Sequence, residues 1–228
     1  MSNLETTRIP DAAVLLSGGP DSAVVAALAK QKEKELLAIY VFHGAPFAQS
    51  EFNAASQIAK NLGIPIKKID ITGFWKSFGD VIGRNESPMG NCADNYALVT
   101  VAVNYVGWGG GSRLYLGTHK TDVEAQPWLP DLFKHYEQAA QLVRPSVGGV
   151  PPGNSDFSHF QILLPLLSKT KAEVLKTGTE LRAPLELSWS CVRSGEVHCG
   201  ECFQCKRRHL SFRAASINDP TEYKKAAA

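Results

Sequence analysis

Five apolar residues, Ala12-Ala-Val-Leu-Leu16, run straight into Ser17-Gly-Gly-Pro-Asp-Ser22, and an alanine- and valine-rich stretch continues to Lys32. A short continuous apolar run predicts a buried strand, the glycines a turn, and the alanine-rich stretch a helix. A strand that feeds a helix directly is the opening of a parallel sheet, because parallel neighbours need a crossover between them. The pattern recurs down the chain. Strands are predicted over 36–42, 64–71, 113–116 and 160–164, and helices over 49–62, 94–106, 132–143 and 170–181. Gly63 ends the second helix, Ala97, Val101 and Tyr105 line one face of the third, and Ser168 caps the last. The fold class expected is α/β: a doubly wound, five-stranded parallel sheet with helices on both faces. Residues 144–159, rich in proline and glycine, form one long irregular segment, which in a compact domain is functional or disordered.

Bulk properties narrow the class. With 228 residues, 44% apolar and 20% charged, the chain is of ordinary globular composition and long enough for a sizeable core. A formal charge of +2 argues against general nucleic-acid binding or attraction to an acidic membrane surface. The longest strongly apolar run, 36–42, is far below the roughly 20 residues that span a bilayer. The N-terminus lacks a basic-then-apolar signal pattern, so a cytoplasmic location is expected.

The glycine loop lies where open α/β sheets bind ligands, at the carboxyl ends of the strands. Gly18 and Gly19 let backbone N–H groups turn toward an anion, and the helix start adds its positive dipole end. Ser17 and Ser22 offer hydroxyl donors to phosphate, and Asp21 makes sense beside phosphates once Mg²⁺ is there to share. No Gly-Lys-Ser/Thr follows, and no Gly-x-Gly-x-x-Gly spacing is present. Near the other end, Cys191, Cys199, Cys202 and Cys205 offer four thiols within fifteen residues. Four thiolates match tetrahedral Zn²⁺ with no open coordination position, with an iron–sulfur cluster as the competing occupant. Lys206, Arg207 and Arg208 follow at once and offset the thiolate charge. The expected organisation is a phosphate-binding domain over 1–185 and a zinc-binding helical appendage over 186–228.

Ser-Gly-Gly-x-Asp-Ser after the first strand resembles the signature of the PP-loop ATPases, whose fold is HUP-like and which cleave ATP between the α- and β-phosphates. Together with Cys-x7-Cys-Gly-x-Cys-x2-Cys it resembles the 7-cyano-7-deazaguanine synthase family over nearly the whole chain. The resemblance implies an AMP-forming C–N ligase that adenylates the carboxylate of 7-carboxy-7-deazaguanine, forms the amide with ammonia, and then dehydrates it to the nitrile. ATP, Mg²⁺ and Zn²⁺ are the implied cofactors, and a homodimer is the expected assembly. Leu114-Tyr-Leu-Gly-Thr-His with Asp122 beyond resembles the family's strand-Gly-x-Asn-x-x-Asp passage, which brings Gly117, His119 and Asp122 to the site. Thr170-Lys-Ala-Glu-Val174 resembles its Thr-Lys-Ala-Glu-Ile helix start, which points Lys171 at the pyrophosphate. Pro130-Asp131 resembles its Tyr-Pro-Asp-Cys-Arg motif, which makes Asp131 the reader of the guanine-like edge, and Asn95 matches its Gly-Arg-Asn.

The departures fall on the substrate side. Leu132-Phe133 stands for the family's Cys-Arg, Asp94 for its arginine, and about three extra residues separate Asp122 from Pro130. They imply a changed acceptor and weak nitrile formation. Divergent relatives in antiphage systems include a class that joins a 7-deazaguanine to a protein through an amide, so a partner protein is an alternative acceptor. A PP-loop tRNA-modifying or sulfur-transferring enzyme is a further alternative, and a non-catalytic nucleotide-binding partner a third. Of the single residues, His43 ends the second strand and is a candidate for the adenine pocket. Trp128 is a candidate for base stacking, Cys92 is expected to be a plain buried thiol, and His198 to be exposed.

Overall fold

The computed structural model describes residues 9–74, 76–77, 92–142 and 159–224, with backbone alone for 92–96. The segment predicted irregular at 144–159 therefore lies outside the described residues, apart from His159.

Five strands form one parallel sheet: β1 (Ala12–Leu15), β2 (Leu36–Phe42), β3 (Ile66–Asp70), β4 (Arg113–Tyr115) and β5 (Gln161–Leu163). Their spatial order is β3-β2-β1-β4-β5, all parallel. The chain winds outward from β1 in one direction and then in the other. A crevice therefore opens beyond the carboxyl ends of the central strands, which is where such sheets bind ligands.

Strand alternation feeds two cores. Ala12, Val14, Ala38 and Tyr40 pack with α1 (Pro20–Lys32) on one face; Ala13, Leu37, Ile39 and Val41 pack with α3 (Cys92–Trp108) on the other. Because both faces are covered, β1 and β2 read as unbroken apolar runs. Helix α2 (Ala48–Asn61) follows β2, and α5 (Leu129–Leu142) joins the second core through Leu129, Phe133 and Ala140. Helix α1 is buried nearly all round, and α6 (Lys171–Glu180) crosses it closely: a Cβ on Gly178 would lie 2.6 Å from Val24 Cγ2.

The cap of α6 corrects the sequence expectation. Thr170, not Ser168, is the N-cap; its hydroxyl accepts the Glu173 N–H, and the Glu173 carboxylate accepts the Thr170 N–H. This Thr-x-x-Glu box satisfies two orphan donors reciprocally, which Ser168 is too early to do. A short helix, α4 (Lys120–Ala125), stands between β4 and α5 where none was expected. The C-terminal segment ends in α7 (Phe203–Ala215), which packs on α6.

Candidate active site

The loop after β1 is shaped by two close approaches. Gly18 has φ +85°, and a Cβ there would collide with the Glu51 carbonyl oxygen of α2. A Cβ on Gly117, just after β4, would sit 3.2 Å from the Asp21 backbone. Glycine at both positions lets α1 begin tightly between its neighbours. Within the loop the Gly19 N–H donates to Ser17 Oγ (3.4 Å), Ser17 Oγ donates to Ser22 Oγ (3.2 Å), and Ser22 Oγ donates to the Gly19 carbonyl (2.8 Å). Pro20 opens α1 without an N–H, so the Asp21 and Ser22 N–H groups are the first-turn donors that have no intrahelical acceptor.

Four charged or titratable side chains converge at that mouth. Lys171 Nζ, from the first residue of α6, lies 2.5 Å from both Asp21 carboxylate oxygens. His119 caps α4: its Nδ1 accepts the Asp122 N–H (3.3 Å), and Asp122 Oδ2 accepts the His119 N–H (3.0 Å). An accepting Nδ1 leaves the proton on Nε2, which faces Asp21 Oδ1 at 3.6 Å. Burial pushes the Asp122 carboxyl up, opposed by the neighbouring His119. Asp21, the His119–Asp122 pair and Lys171 thus come from three separate chain segments.

Beside them lies a cavity of about 350 Å³, with Ser17, Asp21, Ser22, Gly117 and Asp122 at its polar end and Leu98, Leu116, Leu129 and Phe133 on its apolar wall. His43, the candidate for the adenine pocket, lines this cavity with both ring nitrogens already engaged. Its Nδ1 accepts the Ala45 N–H (3.3 Å) and its Nε2 donates to Glu51 Oε2 (3.1 Å). The Tyr40 hydroxyl sits 2.9 Å from the Ala48 carbonyl and 3.2 Å from the same Glu51 oxygen; burial, then Glu51, pushes its phenol well up. Asp131, expected to read the base, is exposed in the first turn of α5 and is not among the residues lining this cavity, whereas Leu129 and Phe133 face in. Trp128 is 43% exposed and likewise stands outside it. The side chains of Asn95 and Cys92 lie outside the described residues.

Behind the loop, Cys191, Cys199, Cys202 and Cys205 bring their Sγ atoms within 4.8 Å of one another. Two of the sulfur–sulfur separations are 3.9 Å, close to the ~3.8 Å edge of a tetrahedron with 2.3 Å metal–sulfur bonds. Burial pushes the Cys191 and Cys205 thiols up, so all four would be thiolates together only around a central cation. Cys202 is also the N-cap of α7, its Sγ accepting the Cys205 N–H. His198 corrects the expectation of exposure. It is 6% exposed, stacks at 4.3 Å on Trp189, and its Nε2 accepts the Ser190 N–H (3.0 Å); burial holds its pKa down at about 4. Arg208, instead of facing the thiols, is buried against Ser188, Ser190, Asp219 and Thr221. The segment is tied to the loop itself: the Trp189 N–H donates to the Gly18 carbonyl at 2.8 Å.

The queuosine biosynthesis protein QueC family matches residues 11–216, a span that holds both the loop and the four cysteines. The chain belongs to the QueC family. It is 30% identical to the 7-cyano-7-deazaguanine synthase of Methanothrix thermoacetophila across 93% of this chain and 98% of that protein. The enzyme of the same name from Chlorobaculum parvum is 32% identical across 93% and 96%. Among solved structures, the U34-tRNA thiolase NcsA from Methanococcus maripaludis with its [4Fe-4S] cluster superposes with a TM-score of 0.53 at 18% identity, covering 94% of this chain and 70% of that one. The NMN synthetase of Francisella tularensis gives 0.52 at 17%, covering 92% and 79%. These two likenesses establish the α/β fold.

Ser17, Asp21, Ser22, Gly117 and Asp122 line the cavity together with Tyr40, Glu51 and Gln126, while Trp189 acts from outside it. Tyr40 and Glu51 buttress the loop after β2, Gln126 closes α4, and Trp189 holds Gly18. Glu51 had a signal in its place, the first turn of a helix after a strand at the carboxyl edge of the sheet. Gln126 had none. Among the described residues no helix is long and apolar enough to cross a membrane.

Proposed function

We propose that this QueC-family protein adenylates the carboxylate of 7-carboxy-7-deazaguanine with ATP and couples the acyl group to an amine, with the amide as its main product. The observation that carries this reading is the meeting of Asp21, Lys171, His119 and Asp122 at the mouth of a cavity that has an apolar wall of Leu98, Leu116, Leu129 and Phe133. One end suits phosphates and a hard cation, the other a flat heterocycle.

Asp21 and Asp122 supply the hard oxygen donors a Mg²⁺ ion prefers, and that ion's chemistry is to neutralise charge on the departing pyrophosphate. A substrate carboxylate oxygen attacks the α-phosphorus, the bond to the β-phosphate oxygen breaks, and pyrophosphate leaves. Lys171, released from Asp21 once phosphates arrive, stabilises the charge that builds on the leaving group. Loop N–H groups and the Ser17 and Ser22 hydroxyls orient the phosphates. The amine nitrogen then attacks the acyl carbon, AMP departs with the carboxyl oxygen, and the nitrogen loses a proton. An apolar slot shields the acyl-adenylate from water.

Phe133 supports the weak-nitrile reading: it is buried in the apolar wall and brings no charge to the second activation. The acceptor amine is ammonia or the amine of a partner protein. Zinc is the metal proposed for the four thiols, which form a closed set, and the 186–228 appendage acts as a buttress that seats Trp189 on Gly18. Because these thiols lie behind the loop and off the cavity lining, sulfur transfer is disfavoured. Incubating the protein with ATP, Mg²⁺, 7-carboxy-7-deazaguanine and ammonium, with pyrophosphate release and product mass as readouts, tests the reading. No pyrophosphate above the substrate-free rate would refute adenylation, and efficient conversion to nitrile would refute the weak second step.

A further inference from the structure

Gln126 is held rigidly at the end of α4. Its N–H donates to the Asp122 carbonyl (2.8 Å) and its carbonyl accepts the Leu129 N–H (3.1 Å), so the backbone is tied on both sides and the side chain lines the cavity. Among the described residues, its Oε1 is a buried side-chain oxygen with no hydrogen-bond partner. The other such atom, Arg113 Nε, belongs to a guanidinium already paired with Asp11 and Glu33 at the start of β4. Gln126 has no comparable compensation. A buried acceptor left unpaired is costly, and in a binding cleft its missing donor is the one a ligand carries.

The surroundings narrow the ligand. The apolar part of the cavity lining is Leu98, Leu116, Leu129 and Phe133, whose side chains can contact a flat ring but cannot orient it within its plane. A carboxamide presents an acceptor beside a donor, the complement of a ring N–H beside a ring C=O. Asp122, at the reacting end, is four residues earlier on the same helix, or about 6 Å along the axis. That is the scale of a bicyclic heterocycle whose carboxyl sits at Asp122 and whose lactam edge lies away from it.

We propose that Gln126 is the specificity-determining residue for the acceptor ring: Oε1 accepts the ring N–H of its lactam edge, and the carboxamide N–H₂ donates to the adjacent carbonyl oxygen. This rests on the function proposed above. The adenine of ATP carries related donor–acceptor chemistry, and the experiment separates the two bases.

Gln126→Ala and the bulk-preserving Gln126→Met are assayed for pyrophosphate release, after metal content and thermal midpoint confirm folding. KM for 7-carboxy-7-deazaguanine should rise on the order of 10- to 100-fold, with KM for ATP unchanged. An analogue methylated at the lactam nitrogen should be strongly rejected by the wild type and discriminated little by Gln126→Ala, which loses the acceptor and opens room for the methyl. A rise in KM for ATP alone, or no change in either, overturns the inference. Calorimetric titration with 7-carboxy-7-deazaguanine and with ATP separates its failure from failure of the function. If the wild type binds the base without turnover and the variants bind it more weakly, the function fails and Gln126 stands as the reader. No base binding by the wild type, or equal binding by all three proteins, overturns it.

Discussion

Asp21→Asn separates catalysis from architecture. Asp21 is paired with Lys171 at 2.5 Å, with side chains 27% and 24% exposed. At an effective dielectric near 20 the gross attraction is about 7 kcal/mol. Desolvation of both groups and the ordering of two side chains take back most of it, leaving about 1 kcal/mol for a partly exposed pair. Asparagine keeps the shape, retains a hydrogen-bond acceptor for Lys171, and leaves Gly18, Gly19 and Gly117 undisturbed. The thermal midpoint should therefore drop by only about 2–4 °C. Catalysis should respond differently, because a carboxylate that shares Mg²⁺ with the leaving pyrophosphate acts on transition-state charge. Loss of about 4 kcal/mol there is a thousandfold in rate. The assay is substrate-dependent pyrophosphate release at saturating ATP, alongside differential scanning calorimetry and metal content. Near-normal release would reduce Asp21 to a turn residue. A collapse of the midpoint with loss of bound metal would show instead that the pair supports the fold.

Gly18→Ala should abolish detectable ATP binding in equilibrium dialysis, since φ +85° costs an alanine about 1–2 kcal/mol and its Cβ meets the Glu51 backbone; unchanged affinity would contradict this account of the loop. Cys202→Ala should lose zinc stoichiometry and yield insoluble or unfolded protein, because the residue is both a thiol of the cluster and the cap of α7. Elemental analysis and far-UV circular dichroism check it, and a brown wild-type protein carrying iron and labile sulfide would defeat the zinc assignment. Gly178→Ala should destabilise by about 1–3 kcal/mol, since its methyl would sit 2.6 Å from Val24 Cγ2 between α6 and α1; denaturant unfolding measures it, and a rise in stability would show that the crossing can open freely.

Some of this was readable before any fold was known. Ala12–Leu15 and Leu36–Phe42 are apolar throughout because both sheet faces are covered, so their burial is written in composition alone. Even the three-residue strands β4 and β5 were expected, because each is an apolar run between polar turns. Helix α4 was not: six residues hold no apolar period, and its cap is a histidine, an uncommon choice. His198 looked exposed because polar residues usually are, and only the packing of Trp189 and the Ser190 N–H against it makes burial tolerable. Motif likeness points Asp131 to the base, and its exposure in the first turn of α5 is something the motif does not show.

The sequence by itself determined the chemistry available: a glycine loop that approaches phosphates, four clustered thiols, and a lysine at the start of a helix. These are local properties, set by residue type and by spacings shorter than a few turns. Tertiary structure alone decided which groups meet. Lys171 reaches Asp21 across 150 residues, Trp189 clasps Gly18, His43 spends both nitrogens on Ala45 and Glu51, and Gln126, on the cavity lining, is left with a buried and unpartnered oxygen. Such pairings depend on strand order and helix rotation, which the collective packing of two cores selects and no short segment encodes.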